Sequence, residues 1–313
     1  MEIYQLRYFL AVAETGSFTK GAQRTFISQP SLSQQILNLE DEFGQKLFHR
    51  LGRKAVLTEA GKTLLEGAHR IISEVDQTLG ELKSDPILGP RVSVGAIQTV
   101  APFFLPAVLA YCSANNIHLS LHTREDFRRP LIEGLLDGKL DWALLSLPLN
   151  EPHLHIERLY SEPLWLALGA THRLAKAPRI TFDDLREESF ILLGDGSTLA
   201  AQIERYCGEH HFEPHIAHRC GQVTTVKALA AMGLGVSVLP QSARSATDPE
   251  GLVFRKFTGM SPAREIVLAR HRRHHVSQGA ALFAAAARAV VGPVPAIVST
   301  PPFQDPPSPP RSS

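Results

Sequence analysis

The sequence is poor in cysteine, near neutral in charge, and without a long apolar run, and each shortage excludes something. Its three cysteines, Cys112, Cys207 and Cys220, are too few and too scattered for a disulfide framework. In a reducing compartment they are expected to be thiols. No uncharged apolar run reaches the about 20 residues that a membrane-spanning helix needs. The longest apolar stretch, 274–299, is interrupted by Arg288, Pro293 and Pro295. The net charge is +1, so the chain is no polycation and any nucleic-acid site must be a local patch. The opening MEIYQLRYFLAVAETG carries Glu2 and Arg7 and lacks both a basic leader region and a small-residue cleavage site. A cytoplasmic location without a membrane partner is the expectation. No Gly-rich phosphate loop, HExxH or GxSxG motif occurs, and no paired catalytic constellation stands out. No catalytic residue and no cofactor is therefore expected. Histidines are plentiful, in a loose His211, His215, His218 group and an HRRHH run at 271–275. Pro214 breaks any helical face in the first group and no cysteine completes a tight motif, so no metal ligand is assigned.

What is present is ordinary globular material: 313 residues, 44% apolar and 20% charged. At roughly 150 residues per domain that suggests two domains. Leu6, Phe9, Leu10 and Ala13 repeat at helical spacing up to Thr15-Gly16. Ser17 is a good N-cap for a second helix, Phe18 to about Thr25, and Ser28 for a third, with Pro30 harmless in its first turn. Leu32, Ile36, Leu39 and Phe43 predict one buried stripe, and Gly44 stops the helix. Residues 45–57 read as a hairpin turning at Leu51-Gly52. A long helix then starts near Thr58, with Leu64, Ala68, Ile71, Val75, Leu79 and Leu82 as a seam for a partner helix. Asp85-Pro86 and Gly89-Pro90 mark a linker. From residue 91 short strand-like runs alternate with helical ones, which predicts βαβ units, a mostly parallel sheet and two small lobes. Residues 293–313 are Pro-rich and expected to be disordered. The division expected is 1–58, 59–88, 89–292 and 293–313.

Two helices joined by a tight turn, the second with small polar groups facing outward, are the helix-turn-helix arrangement. At about 100° per residue, Gln34 and Pro30 project nearly opposite the Leu32 stripe, and Ser33 and Gln29 sit on its flank. Such positions suit the floor of a major groove, where Gln can pair with adenine and Ser with several bases. Read alone, the same face also fits a merely solvated helix. The next segment favours DNA: Lys46, His49, Arg50, Arg53 and Lys54 crowd nine residues with no acid among them, as the wing of a winged helix does on phosphates.

Across "LRYFLAVAETGSFTKGAQ", "ISQPSLSQQILNLEDEFGQKLFHR" and "LTEAGKTLLEGA" the sequence resembles the LysR-type bacterial transcriptional regulators, and the match covers nearly the whole chain. The resemblance implies a winged-helix dimer on an antiparallel pair of linker helices, and behind it an α/β effector domain of two doubly wound lobes, like a periplasmic binding protein. It implies a dimer of dimers on an operator of double-stranded DNA, with RNA polymerase as a further partner if the protein activates. Carried over by position, Gln29, Pro30, Ser33 and Gln34 face bases, while Arg50, Arg53 and Lys54 serve the backbone. The family often has basic residues where this chain has Gln34, Leu37 and Asn38, so fewer phosphate contacts and a different base preference are expected.

The family binds a small-molecule co-inducer between its lobes, where strand ends and helix N-termini converge. Thr99 in "VGAIQTVAPFFLP" matches the pocket hydroxyl, and "LLGDGSTLAAQ" places Ser197 and Thr198 at another helix start. Both Thr99 and Ser197 also read as ordinary N-caps. Arg128 falls where many relatives have a small hydroxyl residue; its guanidinium suits a carboxylate or phosphate, and also an ordinary surface. The effector half most resembles the peroxide-sensing branch, in which the Asp-Gly pair precedes a histidine and a reactive cysteine. Here Asp195-Gly196 precedes Ser197 and Thr198, and only the second cysteine has a match, Cys207. A threonine cannot form a sulfenic acid, so a ligand-gated protein is expected instead of a thiol switch.

Overall fold

The computed structural model describes residues 1–52, 54–82, 89–259 and 262–292. Helices α1 (Ile3–Thr15), α2 (Phe18–Arg24) and α3 (Gln29–Phe43) come first, then a hairpin of β1 (Phe48–Leu51) and β2 (Lys54–Leu57). The caps are those the sequence predicts. The Ser17 hydroxyl accepts from the Lys20 amide and the Ser28 hydroxyl from the Ser31 amide, each worth about 1 kcal/mol to its helix. Gly44 ends α3 in the left-handed region at φ 65°, where only glycine sits without strain.

Leu6, Phe9, Val12, Leu32, Ile36, Leu39, Leu47 and Phe48 form one core with Ala68 and Ile72 of the long α4 (Glu59–Leu82). Phe43, expected to complete the stripe, is instead 39% exposed, because it is the last residue of α3 and the core ends one turn earlier. The seam on α4 also differs from the sequence expectation. Ala68 and Ile72 turn into the core, while Ile71 and Leu79 are 38% and 43% exposed. The helix therefore has two apolar faces, one used at home and one open.

The remaining elements are β3 (Arg91–Ile97), α5 (Ala101–Ala114), β4 (Ser120–Asp126), α6 (Arg128–Leu136), β5 (Trp142–Ser146), β6 (Leu154–Gly169), β7 (Ser189–Leu193), α7 (Thr198–Glu209), β8 (His215–Cys220), α8 (Val223–Ala231), β9 (Ser237–Pro240), β10 (Leu252–Arg255), β11 (Ala263–His271) and α9 (Gln278–Val291). They build two lobes with separate cores, one around Val94, Leu131, Leu144 and Phe283, the other around Leu166, Phe190, Ile203 and Val226. Strand β3 pairs in parallel with β4 and β5, and β7 with β8. The pairing is less parallel than alternation predicts, because β6 runs through both lobes. Its first half pairs antiparallel with β11 and its second half with β9 and β10. Strands β6 and β11 are thus the two crossings between lobes.

Lobe one also touches the N-terminal part. The Ser73 hydroxyl of α4 donates to the Gly138 carbonyl at 2.9 Å. Lys139 reaches Glu14 of α1 at 3.4 Å, and His69 lies 3.5 Å from Asp137. The expected linker at Asp85-Pro86 and the Pro-rich 293–313 segment lie outside the described residues.

Candidate functional site

The exposed end of α3 is presented by three anchors. Its apolar face is locked in the core through Leu32, Ile36 and Leu39. Its carboxylate Glu40, 5% exposed, accepts from the amides of Leu47 and Phe48 and from the Lys46 ammonium at 2.9 Å. The Ala55 amide donates to the Gly16 carbonyl at 2.8 Å, tying β2 to the end of α1. The hairpin and the helix are therefore held in one rigid geometry. Sequence reading missed Glu40, because it opens the acidic run Glu40-Asp41-Glu42 and nothing local distinguishes the buried member from its exposed neighbours.

Of the residues expected at bases, Gln29, Pro30 and Gln34 are exposed. The Gln29 amide donates to the Ser33 hydroxyl at 2.8 Å, and the Gln34 amide to Asn38 at 3.0 Å. Ser33 is only 9% exposed. It lies one residue after Leu32 and three before Ile36, so its direction is partly that of the core, and its hydroxyl is turned to Gln29. Lys54 is exposed on β2, and Arg50 lies on β1 with a side chain outside the described set. Arg53 itself lies outside the described residues.

The second site lies between the lobes. Thr99, Arg128, Ser197 and Thr198 all line one opening of about 210 Å³, together with Gln98, Asp126 and Phe127. These residues follow β3, β4 and β7, whose C-terminal ends converge there. The Ser197 hydroxyl does cap α7, accepting from the Ala200 amide at 3.3 Å. Thr99 is no cap: helix α5 is preceded by Val100, and the Thr99 hydroxyl accepts from Arg264 at 2.5 Å. Thr198 Oγ1 lies 2.8 Å from Ser146 Oγ, a hydroxyl contact from lobe two to lobe one.

Arg128 is held by one bond, from Nη2 to the Ser146 carbonyl at 2.6 Å. Its Nε is buried without a hydrogen-bond partner among the described residues, and burial lowers its pKa. A buried donor with nothing to bond is costly, by about 1–3 kcal/mol, so the cleft favours an acceptor there. Behind it Arg264, 2% exposed, donates to Glu162 at 2.6 and 2.8 Å and to the Thr99 carbonyl at 2.9 Å. Arg264 stands on β11 and Glu162 on β6, so this pair sits at the crossings. Sequence reading missed Ser146, Glu162 and Arg264. The last two gave no distinct signal, since Glu157 and Arg158 share β6 with Glu162 and Glu265 stands beside Arg264 on β11.

Cys207 is fully buried in the last turn of α7, and burial pushes its thiol up to about 12. Among the described residues no three His, Cys, Asp or Glu side chains are grouped to hold a metal, and no helix is long and apolar enough to cross a membrane.

Residues 3–62 match the family model described as a bacterial regulatory helix-turn-helix protein, lysR family, and residues 88–292 match the LysR substrate binding domain. A hydrogen peroxide-inducible genes activator of Pectobacterium carotovorum subsp. carotovorum is 32% identical over 273 residues, 86% of this chain and 89% of that protein. Among solved structures, a full-length cysteine-to-aspartate variant of OxyR from Pseudomonas aeruginosa superposes with a TM-score of 0.68 at 26% identity, covering 92% of this chain and 98% of that one. Full-length CbnR in complex with its target DNA superposes with a TM-score of 0.64 at 25% identity, covering 93% and 100%.

Proposed function

Because this chain belongs to the LysR family of DNA-binding transcriptional regulators with a substrate-binding effector domain, we propose the following division of labour. Residues 1–58 bind an operator, 59–88 dimerise through the open face of α4, and 89–292 sense an effector. Gln29, Pro30 and Gln34 read base edges, with Ser33 fixing the Gln29 amide, while Arg50, Arg53 and Lys54 hold the phosphate backbone. The protein works in the cytoplasm as a dimer of dimers, contacts RNA polymerase where it activates, and catalyses no reaction.

Thr99, Arg128, Ser197 and Thr198 hold a small effector that carries a carboxylate. The single observation behind that choice is the buried, unpartnered Nε of Arg128, at the mouth where α7 also presents its N-terminal amides. Closure of the cleft alters the Ser146–Thr198 contact and, through β6 and β11, the relation of the lobes. The relatives named for peroxide suggest a thiol switch as a second reading; the hydroxyl at Thr198 and the buried Cys207 oppose it.

The test is a melting-temperature screen of the full-length protein against small carboxylates. A hit raises the midpoint in wild type by binding the folded state, and Arg128→Ala abolishes the rise. A hit that persists in Arg128→Ala contradicts the assignment.

A further inference from the structure

The joint between α4 and lobe one concentrates positive charge that neither α3 nor the cleft uses. The HRRHH run ends β11 and turns toward α9. It meets the loop that receives the Ser73 bond: a Cβ placed on Gly138 would lie 2.6 Å from Ser73 Oγ and 3.3 Å from His274 Cε1. Linker helix, loop and histidine therefore converge on one point. The His271 and His274 rings lie 3.9 Å apart, and the Arg270 guanidinium sits 5.9 Å from the centre of the Trp142 ring. Together with Leu140 and His275 these groups line a hollow of about 270 Å³.

Its surroundings are cationic. Burial, then Arg70, His153, Arg273 and Arg270, all hold His271 toward its neutral form. Burial, then His271 and Arg70, do the same to His274. Arg70 belongs to α4, so the field is assembled from both sides of the joint. Among the described residues none of Arg70, Arg270, Arg272 and Arg273 forms an ion pair, in a chain where most other arginines do. His274 Nε2 is buried and has no hydrogen-bond partner among the described residues. Arg70, Arg270 and Arg272 donate to backbone carbonyls of Glu66, His271, Arg272 and Leu154, so their charges are hydrogen-bonded but not neutralised. Guanidinium groups without a carboxylate partner around an unsatisfied polar atom are what a multivalent anion completes. The hollow holds one carboxylate, Asp141, whose Oδ2 already accepts from the Ser93 amide at 2.7 Å.

We propose that this joint binds a phosphoryl group, held by Arg70 of α4 with Arg270 and Arg273 against the His271–His274 pair. The occupant is a free phosphate or a phosphorylated small molecule. Bound there, it bridges the linker helix to lobe one and fixes their relation, so DNA binding and sensing gain a second input beside the cleft.

Trp142 lies beside the hollow, and Trp165 is the only other tryptophan. The full-length Trp165→Phe protein is titrated with inorganic phosphate, with chloride adjusted to constant ionic strength. The expected result is a saturable change in Trp142 fluorescence and a higher melting midpoint. Arg70→Ala weakens the response about tenfold, the cost of one lost charge-assisted contact, and Arg273→Lys weakens it less than Arg273→Ala. Circular dichroism checks that each variant is folded. A change that never saturates, or one that Arg70→Ala and Arg273→Ala leave untouched, overturns the proposal. The same titration with a short random duplex separates the sources. A duplex that competes with phosphate, with the same arginine dependence, assigns the phosphoryl group to the nucleic-acid backbone; phosphate binding without competition assigns it to a free anion.

Discussion

Replacing Glu162 by Gln should destabilise the effector domain far more than its size suggests. The two side chains are nearly isosteric, so packing barely changes. What changes is the partner of Arg264, which is 2% exposed and makes two of its four hydrogen bonds to Glu162 Oε1. Glu162 is itself 6% exposed, and its other oxygen accepts from the Ser242 amide at 3.3 Å. Removing one member of a buried pair leaves an uncompensated charge and costs about 3–5 kcal/mol. Thr99→Val removes a single hydrogen bond to the same guanidinium, and should cost about 1.5–3 kcal/mol. The double variant Glu162→Met, Arg264→Met removes both charges together and should be less destabilised than Glu162→Gln alone. Urea unfolding followed by circular dichroism measures all three. A Glu162→Gln midpoint within about 0.5 kcal/mol of wild type, the range of an ordinary surface change, would refute the view that this pair holds the crossings.

Ile71→Asp places a charge on the open face of α4, and sedimentation should show monomers that no longer bind operator while the effector domain still melts cooperatively; unchanged oligomers would contradict the seam. Cys207→Ser should bind DNA and respond to effector like wild type, and mild peroxide should leave the wild-type footprint unaltered; a reversible, Cys207-dependent shift would restore the thiol-switch reading. Burial, then the His271 and Arg70 charges, push His274 down to about 4 from the 6.5 of an ordinary imidazole. The unfolded chain therefore binds more protons between those values. The stability His274 contributes is complete above pH 6.5 and is lost as pH falls toward 4. His274→Asn should flatten that limb of the pH–stability curve, and an identical curve would show that the joint is not buried in solution.

The N-terminal part was legible because its signals are local. Caps at Ser17 and Ser28, the stop at Gly44 and the 4-3 spacing of Leu32, Ile36 and Leu39 depend on near neighbours in sequence. That Thr99, Arg128, Ser197 and Thr198 share one cleft was legible because they sit at strand ends next to helix starts. Three kinds of feature were not. The first half of β6 and most of β8 mix polar with apolar residues and are largely exposed or half-buried, so period-two patterning is weak there. Ser33 looked groove-facing because one face of α3 was assigned without the neighbours that cover its flank. The Arg264–Glu162 pair joins residues 102 positions apart, and no spacing rule reaches that far.

The most direct test of the central account is DNA binding by wild type, Gln34→Ala and Lys54→Ala, measured by fluorescence anisotropy over a range of salt. The operator is first selected from a random pool, and each protein is then compared on operator and scrambled duplex. The account predicts that wild-type affinity falls steeply with salt. Gln34→Ala should lose about 1–3 kcal/mol of discrimination at particular base pairs while keeping its affinity for scrambled DNA. Lys54→Ala should weaken both duplexes alike and lower the salt slope by about one. Equal losses on both duplexes for Gln34→Ala would contradict base reading by α3, and a wild type without salt-dependent binding would contradict the account as a whole.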